Sequence, residues 1–253
     1  MTIDVGNTHT NFGVFEQEEL LGSWRISTST RRTEDEWGVL LGSLLAEKNI
    51  PLSQIERAIV SSVVPPALSS IELLFKSRWK IEYLVVRPGV KTGLSVKAEP
   101  KEVGADRIVN AVAAAYLYGG DLIIIDFGTA TTFCAVSNNK EYLGGAIAPG
   151  IGISFEALYE KTAKLPRVDI EVPPSCIGRS TLEAMHSGIF FGYIGLGREI
   201  VGRMKEEFSL QAKVIATGGW GVFLHSFCDY IDLFNPVLTL EGLKIIDGLN
   251  QQR

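Results

Sequence analysis

The sequence has few of the residues that build metal and disulfide sites. It contains three cysteines and three histidines in 253 residues. Cys134, Cys176 and Cys228 are far apart and form no C-x-x-C pair, so neither a disulfide framework nor a zinc site is indicated. The histidines share no metal-ligand spacing, and among them only His9 lies in a motif. We interpret the thiols as free residues of the core.

Long apolar runs and a strong excess of charge are also missing. Apolar runs such as residues 122–125 are much too short to span a bilayer, and motif residues that begin at Asp4 leave no room for a signal peptide. A net charge of −5 with dispersed lysine and arginine argues against a nucleic-acid-binding face. We therefore expect a soluble, cytoplasmic protein that binds neither membranes nor nucleic acid.

The first chemical signal is a polar turn near the start of the chain. Residues 3–11 read Ile-Asp-Val-Gly-Asn-Thr-His-Thr-Asn. Gly6 lets the backbone turn without a Cβ atom, and Asn7, Thr8 and Thr10 offer short donors to an anion such as phosphate. An Asx turn between two hairpin strands would use the same residues, so this stretch alone leaves both interpretations open.

A second copy of the turn favours phosphate binding. Residues 125–132 read Ile-Asp-Phe-Gly-Thr-Ala-Thr-Thr and align with residues 3–10 without a gap. A third glycine turn, Thr-Gly-Gly-Trp-Gly, follows an apolar strand at residues 217–221. Two such turns about half a chain apart predict a duplicated domain that faces itself across one ligand. The layout resembles that of the actin, hexokinase and Hsp70 superfamily.

The order of the predicted elements gives the same fold class. The first half reads βββ-α-β-α-β, and the second half repeats the hairpin. We predict an α/β protein of two tandem ribonuclease-H-like domains, residues 1–118 and 119–253, each a mixed sheet with flanking helices, and an ATP cleft between them. Capping boxes at residues 33–36 and 180–183 predict the starts of two helices.

The second of these helices is predicted to continue to about residue 208 and carries an unusual number of glycines. Each glycine inside a helix costs about 1 kcal/mol relative to alanine. We expect close packing, between the domains or across a dimer, to offset that cost. The glycines are Gly188, Gly192, Gly195 and Gly197.

Residues 104–107, Gly-Ala-Asp-Arg, lie at the start of another predicted helix. Asp106 could be an ordinary N-cap, since aspartate is among the best caps. Alternatively, its carboxylate faces a cleft and Arg107 holds an anionic substrate. We call residues 3–11 and 125–132 the first and second phosphate turns. Phosphoryl transfer to a hydroxyl requires such turns together with an aspartate that can accept a proton from an alcohol.

Six motifs together resemble type III pantothenate kinase, in the order of that family and over nearly the whole chain. They lie at residues 4–8, 61–65, 103–107, 126–131, 144–150 and 216–219. The resemblance implies ATP-dependent phosphorylation of pantothenate, the first step of coenzyme A synthesis, by a homodimer in a bacterial cytoplasm. Another small-molecule kinase or phosphatase of the superfamily, and a regulatory protein with the same fold that assists transcription, remain alternatives.

The resemblance also implies roles for individual residues. It implies a monovalent cation, K⁺ or NH₄⁺, on Asp126, Mg²⁺ bound with the nucleotide, and Asp106 as the proton acceptor. ATP would be bound by Asp4, Val5, Gly6, Asn7, Thr8, His9, Thr10, Asn11, Thr129, Gly218 and Gly219. Pantothenate would be bound by Gly104, Ala105, Asp106, Arg107 and Thr181. The chain departs from the family in one place, since residues 97–100 lack the tyrosine that usually precedes the Gly-x-Asp-Arg motif.

Overall fold

A computed structural model describes residues 1–99, 103–160 and 170–251, without the side chains of residues 159 and 160. The predicted turn at Pro100 and part of the proline-bearing loop before residue 180 lie outside the described residues. By its internal contacts the chain forms two compact units. The first unit is Met1–Leu117 together with the segment from Val237, and the second is Tyr118–Pro236.

The helices and strands of the described residues follow the predicted order. The strands are β1 Thr2–Val5, β2 His9–Glu16, β3 Glu19–Ser27, β4 Arg57–Ser62, β5 Glu82–Val85, β6 Ser95–Val96, β7 Leu122–Phe127, β8 Ala130–Val136, β9 Glu141–Pro149, β10 Lys213–Thr217 and β11 Leu233–Phe234. The helices are α1 Glu34–Glu47, α2 Pro65–Leu73, α3 Ala105–Leu117, α4 Ile151–Glu160, α5 Thr181–Glu207, α6 Gly221–Leu224 and α7 Leu238–Gln251. The sequence analysis did not predict the short elements β6 and α6, nor helix α4.

The first unit is built on a mixed sheet in the order β3-β2-β1-β4-β5. The strands β1, β2 and β3 pair antiparallel, whereas β1, β4 and β5 pair parallel. The pairing brings the carboxyl ends of β1 and β4 to one edge. The capping box that starts α1 is confirmed, because the Thr33 Oγ1 accepts from the Glu36 N–H at 3.3 Å and the Glu36 Oε2 accepts from the Thr33 N–H at 2.8 Å.

The last helix, α7, packs in the first unit, whereas the sequence-based boundary placed it in the second domain. Its Leu243 and Ile246 are fully buried and share a core cluster with Val109 and Val112 of α3. Gly242 allows the contact, since a Cβ atom there would clash with the backbone carbonyl of Val109. The boundary was missed because the amphipathic pattern of α7 shows that one face is buried but not which sheet covers it.

The second unit repeats the sheet of the first. Its strands lie in the order β11-β10-β7-β8-β9; β7, β8 and β9 pair antiparallel, while β7, β10 and β11 pair parallel. The second capping box forms only in part. The Ser180 hydroxyl accepts from the Glu183 N–H, but the Glu183 carboxylate accepts from the Arg179 N–H instead of that of Ser180.

The apolar positions of these elements build a core in each unit. In the first unit, Phe12 and Trp37 are fully buried against β1, β4 and α2. In the second, Ile123, Ile125 and Phe127 of β7 pack against one face of α5. Within the part of the chain that the structure describes, every helix is too short or too polar to cross a membrane.

Candidate functional site

The first phosphate turn is a tight connection between β1 and β2. The Gly6 N–H donates to the carbonyl oxygen of His9 at 3.0 Å, and a Cβ atom at Gly6 would press on that same oxygen. Asn7 and Thr8 are exposed at the tip. Val5 and Thr10 are fully buried, so any contact of Val5 with a nucleotide is limited to its backbone.

Thr28, which sequence reasoning missed, holds this turn from the end of β3. Its hydroxyl donates to the carbonyl oxygen of Gly6 at 2.7 Å, and its N–H donates to the carbonyl oxygen of Thr8 at 2.9 Å. The hydroxyls of Thr28 and Thr10 are 2.9 Å apart. Because the proton of Thr28 is used on Gly6, Thr10 is the donor of this pair. The hydroxyl proton of Thr10 is therefore used in a hydrogen bond within the protein.

Asp4 lies at the end of β1 with two hydrogen-bond partners on the neighbouring strands. The Ser61 hydroxyl donates to the Asp4 Oδ1 at 2.6 Å, and the side chain of Asn11 also bonds to the carboxylate. Burial is the largest cause that raises the pKa of Asp4, to about 7, and the nearby negative charge of Asp106 raises it further. The structure thus brings the two predicted carboxylates of the first unit together.

Asp106 lies in the first turn of α3, which begins at Ala105. It is therefore not the N-cap. Its Oδ1 accepts a hydrogen bond from the N–H of Arg107 at 2.9 Å, and a carboxylate at this end is favoured by the helix dipole. A Cβ atom at Gly104 would clash with the Asp106 carboxylate. The glycine of the motif is thus required by the position of its aspartate.

The second phosphate turn, in the second unit, is surrounded by glycine backbone. Gly218 has φ +94°, and a Cβ atom there would clash with the Asp126 carboxylate and the backbone of Phe127. The Gly150 N–H donates to the carbonyl oxygen of Thr129 at 3.1 Å. The glycines of two separate motifs therefore serve one purpose, which is to bring backbone close to the turn that carries Asp126 and Thr129.

Beneath that turn, α5 contributes Tyr193. Its hydroxyl is hydrogen bonded to the buried Thr131 hydroxyl and lies 3.4 Å from the Pro149 carbonyl oxygen. Burial raises the pKa of Tyr193 above its usual value. Thr181, predicted to contact pantothenate, is the exposed first residue of the same helix. Nothing in the sequence pattern singled out Tyr193, because a tyrosine on a helix is most often a core residue.

The glycines of α5 divide into two groups. Gly197 faces the Tyr230 hydroxyl, which a Cβ atom would strike. By contrast, no atom of the described residues lies within 4 Å of a Cβ atom built at Gly188, Gly192 or Gly195. Spacings of four and three residues put these glycines on one face of the helix. Packing among the described residues does not explain them.

Among the described residues no group of three or more His, Cys, Asp or Glu side chains could hold a metal ion. A cation bound by these described residues must then rely on single carboxylates, backbone oxygens, water or the ligand itself. Asp126 offers one such carboxylate, and the backbone of Gly218 and Phe127 lies close beside it.

Comparison with known proteins agrees with these observations. A family model described as type III pantothenate kinase matches residues 1–203. A Campylobacter jejuni structure described as a Baf family transcriptional activator is similar over 100% of this chain and 99% of its own, with 20% identity and a TM-score of 0.60. The ADPNP-bound activator of 2-hydroxyisocaproyl-CoA dehydratase from Clostridium difficile covers 98% and 94%, with 11% identity and a TM-score of 0.53.

A third similar structure is the ethanolamine utilization protein EutJ from Carboxydothermus hydrogenoformans. The match covers 97% of this chain and 88% of that one, with 14% identity and a TM-score of 0.53. At such low identities the structural similarities show the fold alone. Together with the two mixed sheets, they confirm the predicted α/β fold class.

Proposed function

Because the chain belongs to the type III pantothenate kinase family, we propose that it transfers the γ-phosphoryl group of ATP to the hydroxyl of pantothenate, giving 4′-phosphopantothenate, the first step of coenzyme A synthesis. The observation that carries the proposal is the approach of Asp106 to Asp4, which is close enough for one charge to raise the pKa of the other. This proximity brings the start of α3, which carries Gly-Ala-Asp-Arg, near the first phosphate turn. Phosphoryl transfer to an alcohol requires such an arrangement.

In this proposal Asp106 is the general base. Its carboxylate accepts the proton of the pantothenate hydroxyl as that oxygen attacks the γ-phosphorus, and the bond to the β-phosphate oxygen breaks to release ADP. The backbone of Gly104 and Ala105, the guanidinium of Arg107 and the hydroxyl of Thr181 hold pantothenate. The nucleotide is bound by the first turn, residues 4–11, and by Thr129, Gly218 and Gly219.

Cations take the place of basic side chains in the nucleotide site. Neither phosphate turn contains a lysine or arginine, so neutralisation of the β- and γ-phosphates falls to Mg²⁺, which supplies charge compensation when bound with ATP. We place Mg²⁺ near Asp4, held mainly by ATP oxygens and water. We place K⁺ or NH₄⁺ on the Asp126 carboxylate, beside the backbone that Gly218 brings close to it.

The proposal includes a homodimer of the cytoplasm. The open face of Gly188, Gly192 and Gly195 supports it, since these helix-weakening residues have no packing role among the described residues. Close approach of a second copy of the chain gives these glycines a packing role, because glycines let two helix backbones come near each other.

The test is Asp106→Asn in a kinase assay with Mg·ATP and pantothenate. Asparagine still accepts the hydrogen bond from the Arg107 N–H but is not a base. We expect kcat to fall by roughly 10²–10⁴ with the thermal midpoint nearly unchanged. The matched control is Asp35→Asn, which removes another first-turn carboxylate, that of α1, and should leave kcat unchanged. If Asp106→Asn keeps a kcat close to that of the wild type, the role of Asp106 is purely structural.

A regulatory role is the second candidate, and the similarity to a Baf family transcriptional activator favours it. The wild-type protein distinguishes the two. Rapid formation of 4′-phosphopantothenate supports the kinase. Nucleotide binding without turnover of pantothenate supports the regulatory protein.

A further inference from the structure

The motif Ser-Ser-Val-Val-Pro at residues 61–65 has no role in the site as described so far, although its first residue touches Asp4. Ser61 lies on β4, next to the strand β1 that carries Asp4, and the two residues are directly paired in the parallel register. On the other side of β1, Asp4 is paired with Asn11 of β2. Asn11, Asp4 and Ser61 thus form a row across three strands, which we call the first polar row.

Ser61 is an unusual residue for its position. It is fully buried, and Ala58, Ile59 and Val60 before it on β4 are at most 1% exposed. A buried hydroxyl among apolar neighbours destabilises the fold unless it is hydrogen bonded. Its bond to the Asp4 Oδ1, at 2.6 Å, has the length of a charge-assisted O–H···O⁻ bond. Alanine or valine would suit the core equally well, so the core does not explain the hydroxyl.

The second unit contains the same arrangement. Asp126 on β7 is paired in register with Thr217 of β10 on one side and with Thr132 of β8 on the other. Thr217 is 2% exposed. In both units, therefore, the aspartate of a phosphate turn has a buried hydroxyl residue at the paired position of the neighbouring parallel strand. The recurrence of this pair in both sheets points to the aspartate as the reason for the hydroxyl.

We propose that Ser61 is a positioning residue of the phosphoryl-transfer site, which fixes the Asp4 carboxylate in one orientation next to the nucleotide. The inference rests on the proposed kinase function. Asp4 faces the like charge of Asp106, and without a donor on Oδ1 the carboxylate is free to rotate away from it. The hydrogen bonds from Ser61 on one side and Asn11 on the other remove that freedom.

The rest of the motif keeps Ser61 in register. The Val63 N–H donates to the Val5 carbonyl oxygen at 3.1 Å. Pro65 then starts α2. The motif therefore ties the end of β4 to the end of β1 immediately before the first phosphate turn.

The first experiment compares Ser61→Ala, Ser61→Thr and Ser62→Ala. Removal of a hydrogen bond to a charged group costs roughly 10- to 100-fold, so Ser61→Ala should lower kcat/KM for Mg·ATP by that factor while KM for pantothenate stays within about twofold. Ser61→Thr, which keeps the hydroxyl, should restore most of the loss. Ser62→Ala is the matched control, since the Ser62 hydroxyl bonds to Val64 and not to Asp4. Thermal midpoints of all three variants show whether each is folded.

The second experiment asks whether Ser61 acts through Asp4. Calorimetry measures binding of a non-hydrolysable ATP analogue with Mg²⁺ to wild type, Ser61→Ala, Asp4→Ala and the double variant. We expect Ser61→Ala to weaken binding roughly tenfold in the wild-type background and less than about twofold in the Asp4→Ala background, because coupled residues are not additive. An equal loss in both backgrounds, or none in either, would overturn the proposal.

The two experiments separate this proposal from the proposed function. If the wild-type protein binds the analogue but does not phosphorylate pantothenate, the kinase function fails while the binding cycle still decides the role of Ser61. If Ser61→Ala keeps wild-type kinetics and binding, Ser61 is structural and the kinase function stands. Absence of any nucleotide binding by the wild type would overturn both.

Discussion

At the scale of single residues, the two threonines of the first turn differ more than their sequence positions suggest. Thr8 is exposed at the tip, whereas Thr10 is buried and gives its proton to Thr28. The turn is therefore held by a hydroxyl that lies outside every motif. The groups it offers to the proposed nucleotide are exposed side chains and backbone N–H groups, with Thr10 and Thr28 as internal support.

The carboxylate of Asp4 gives a prediction about pH. Burial raises its pKa from an ordinary 3.8 to about 7, so between these values the folded protein binds more protons than the unfolded one. Stability must then fall as pH rises from about 4 to about 7. With 1.36 kcal/mol per pKa unit, the contribution lost between pH 5 and pH 8 is about 3 kcal/mol.

The measurement is the thermal midpoint of the nucleotide-free protein at pH 5 and pH 8. Asp4→Asn removes the titrating group, so its midpoint relative to wild type should be higher at pH 8 than at pH 5. Asp35→Asn changes the net charge by the same amount and should keep the wild-type pH dependence. A constant difference between Asp4→Asn and wild type at both pH values would show that Asp4 does not titrate in this range.

At the scale of helices and strands, most of the fold follows from local pattern. The capping box at Thr33 fixed the start of α1, and the apolar run of β4 identified a buried parallel strand. Helix α4 was missed because Pro149, Gly150 and Gly152 read as a turn. In the structure Gly150 instead approaches Thr129, and the helix begins at Ile151. A close approach between distant segments leaves no periodic signal.

The candidate site likewise contains residues that the sequence pattern singled out and residues that it did not. Asp4, Asp106 and Asp126 were found because carboxylates beside glycines form motifs. Ser61 lies in one of the six motifs, but no role in the site was predicted for it. Thr28 and Tyr193 were not singled out at all. These residues act on the site only through hydrogen bonds across neighbouring strands or from a helix to a turn. Their contribution depends on strand register, which the sequence of one strand does not contain.

The glycine face of α5 gives a prediction at this scale. Gly192→Leu should produce monomers and raise KM for pantothenate, because a packed interface cannot absorb the added volume. The chain itself has open space there among the described residues, so the monomer should be no less stable. Gly42→Leu is the control, since Gly42 lies in equally open space on a different helix, α1.

Light scattering measures the oligomeric state of both variants, and thermal melts measure their stability. Dimeric Gly42→Leu with monomeric Gly192→Leu would support an interface at the glycine face. A wild-type protein that is monomeric and active would exclude it.

At the scale of the whole molecule, charge is the main constraint. The chain carries a net charge of −5, and the residues proposed to surround the triphosphate include Asp4, Asp106 and Asp126. Like charges at about 4 Å repel by several kcal/mol at an intermediate effective dielectric. The kinase should therefore depend on a monovalent cation in addition to Mg²⁺.

A kinase assay in a Tris buffer with Mg·ATP, to which K⁺ or NH₄⁺ is added back, checks this expectation. The rate should rise on addition, and Asp126→Ala should abolish the increase. Na⁺ at the same ionic strength is the control for general salt effects. Full activity without K⁺ or NH₄⁺ would show that Asp126 is a structural turn residue.

Helix α7 completes the core of the first unit, although it follows the second unit in the sequence. This position limits the order in which the two units can fold during synthesis on the ribosome. Residues 118–236 are synthesised before α7, and they form a unit with its own core that is continuous in sequence. The first unit starts earlier but finishes later, since α3 has Leu243 and Ile246 as core neighbours only after α7 has emerged. The helix that carries Asp106 is thus among the last parts to pack fully, and a nascent chain without α7 holds the proposed general base on an incomplete core.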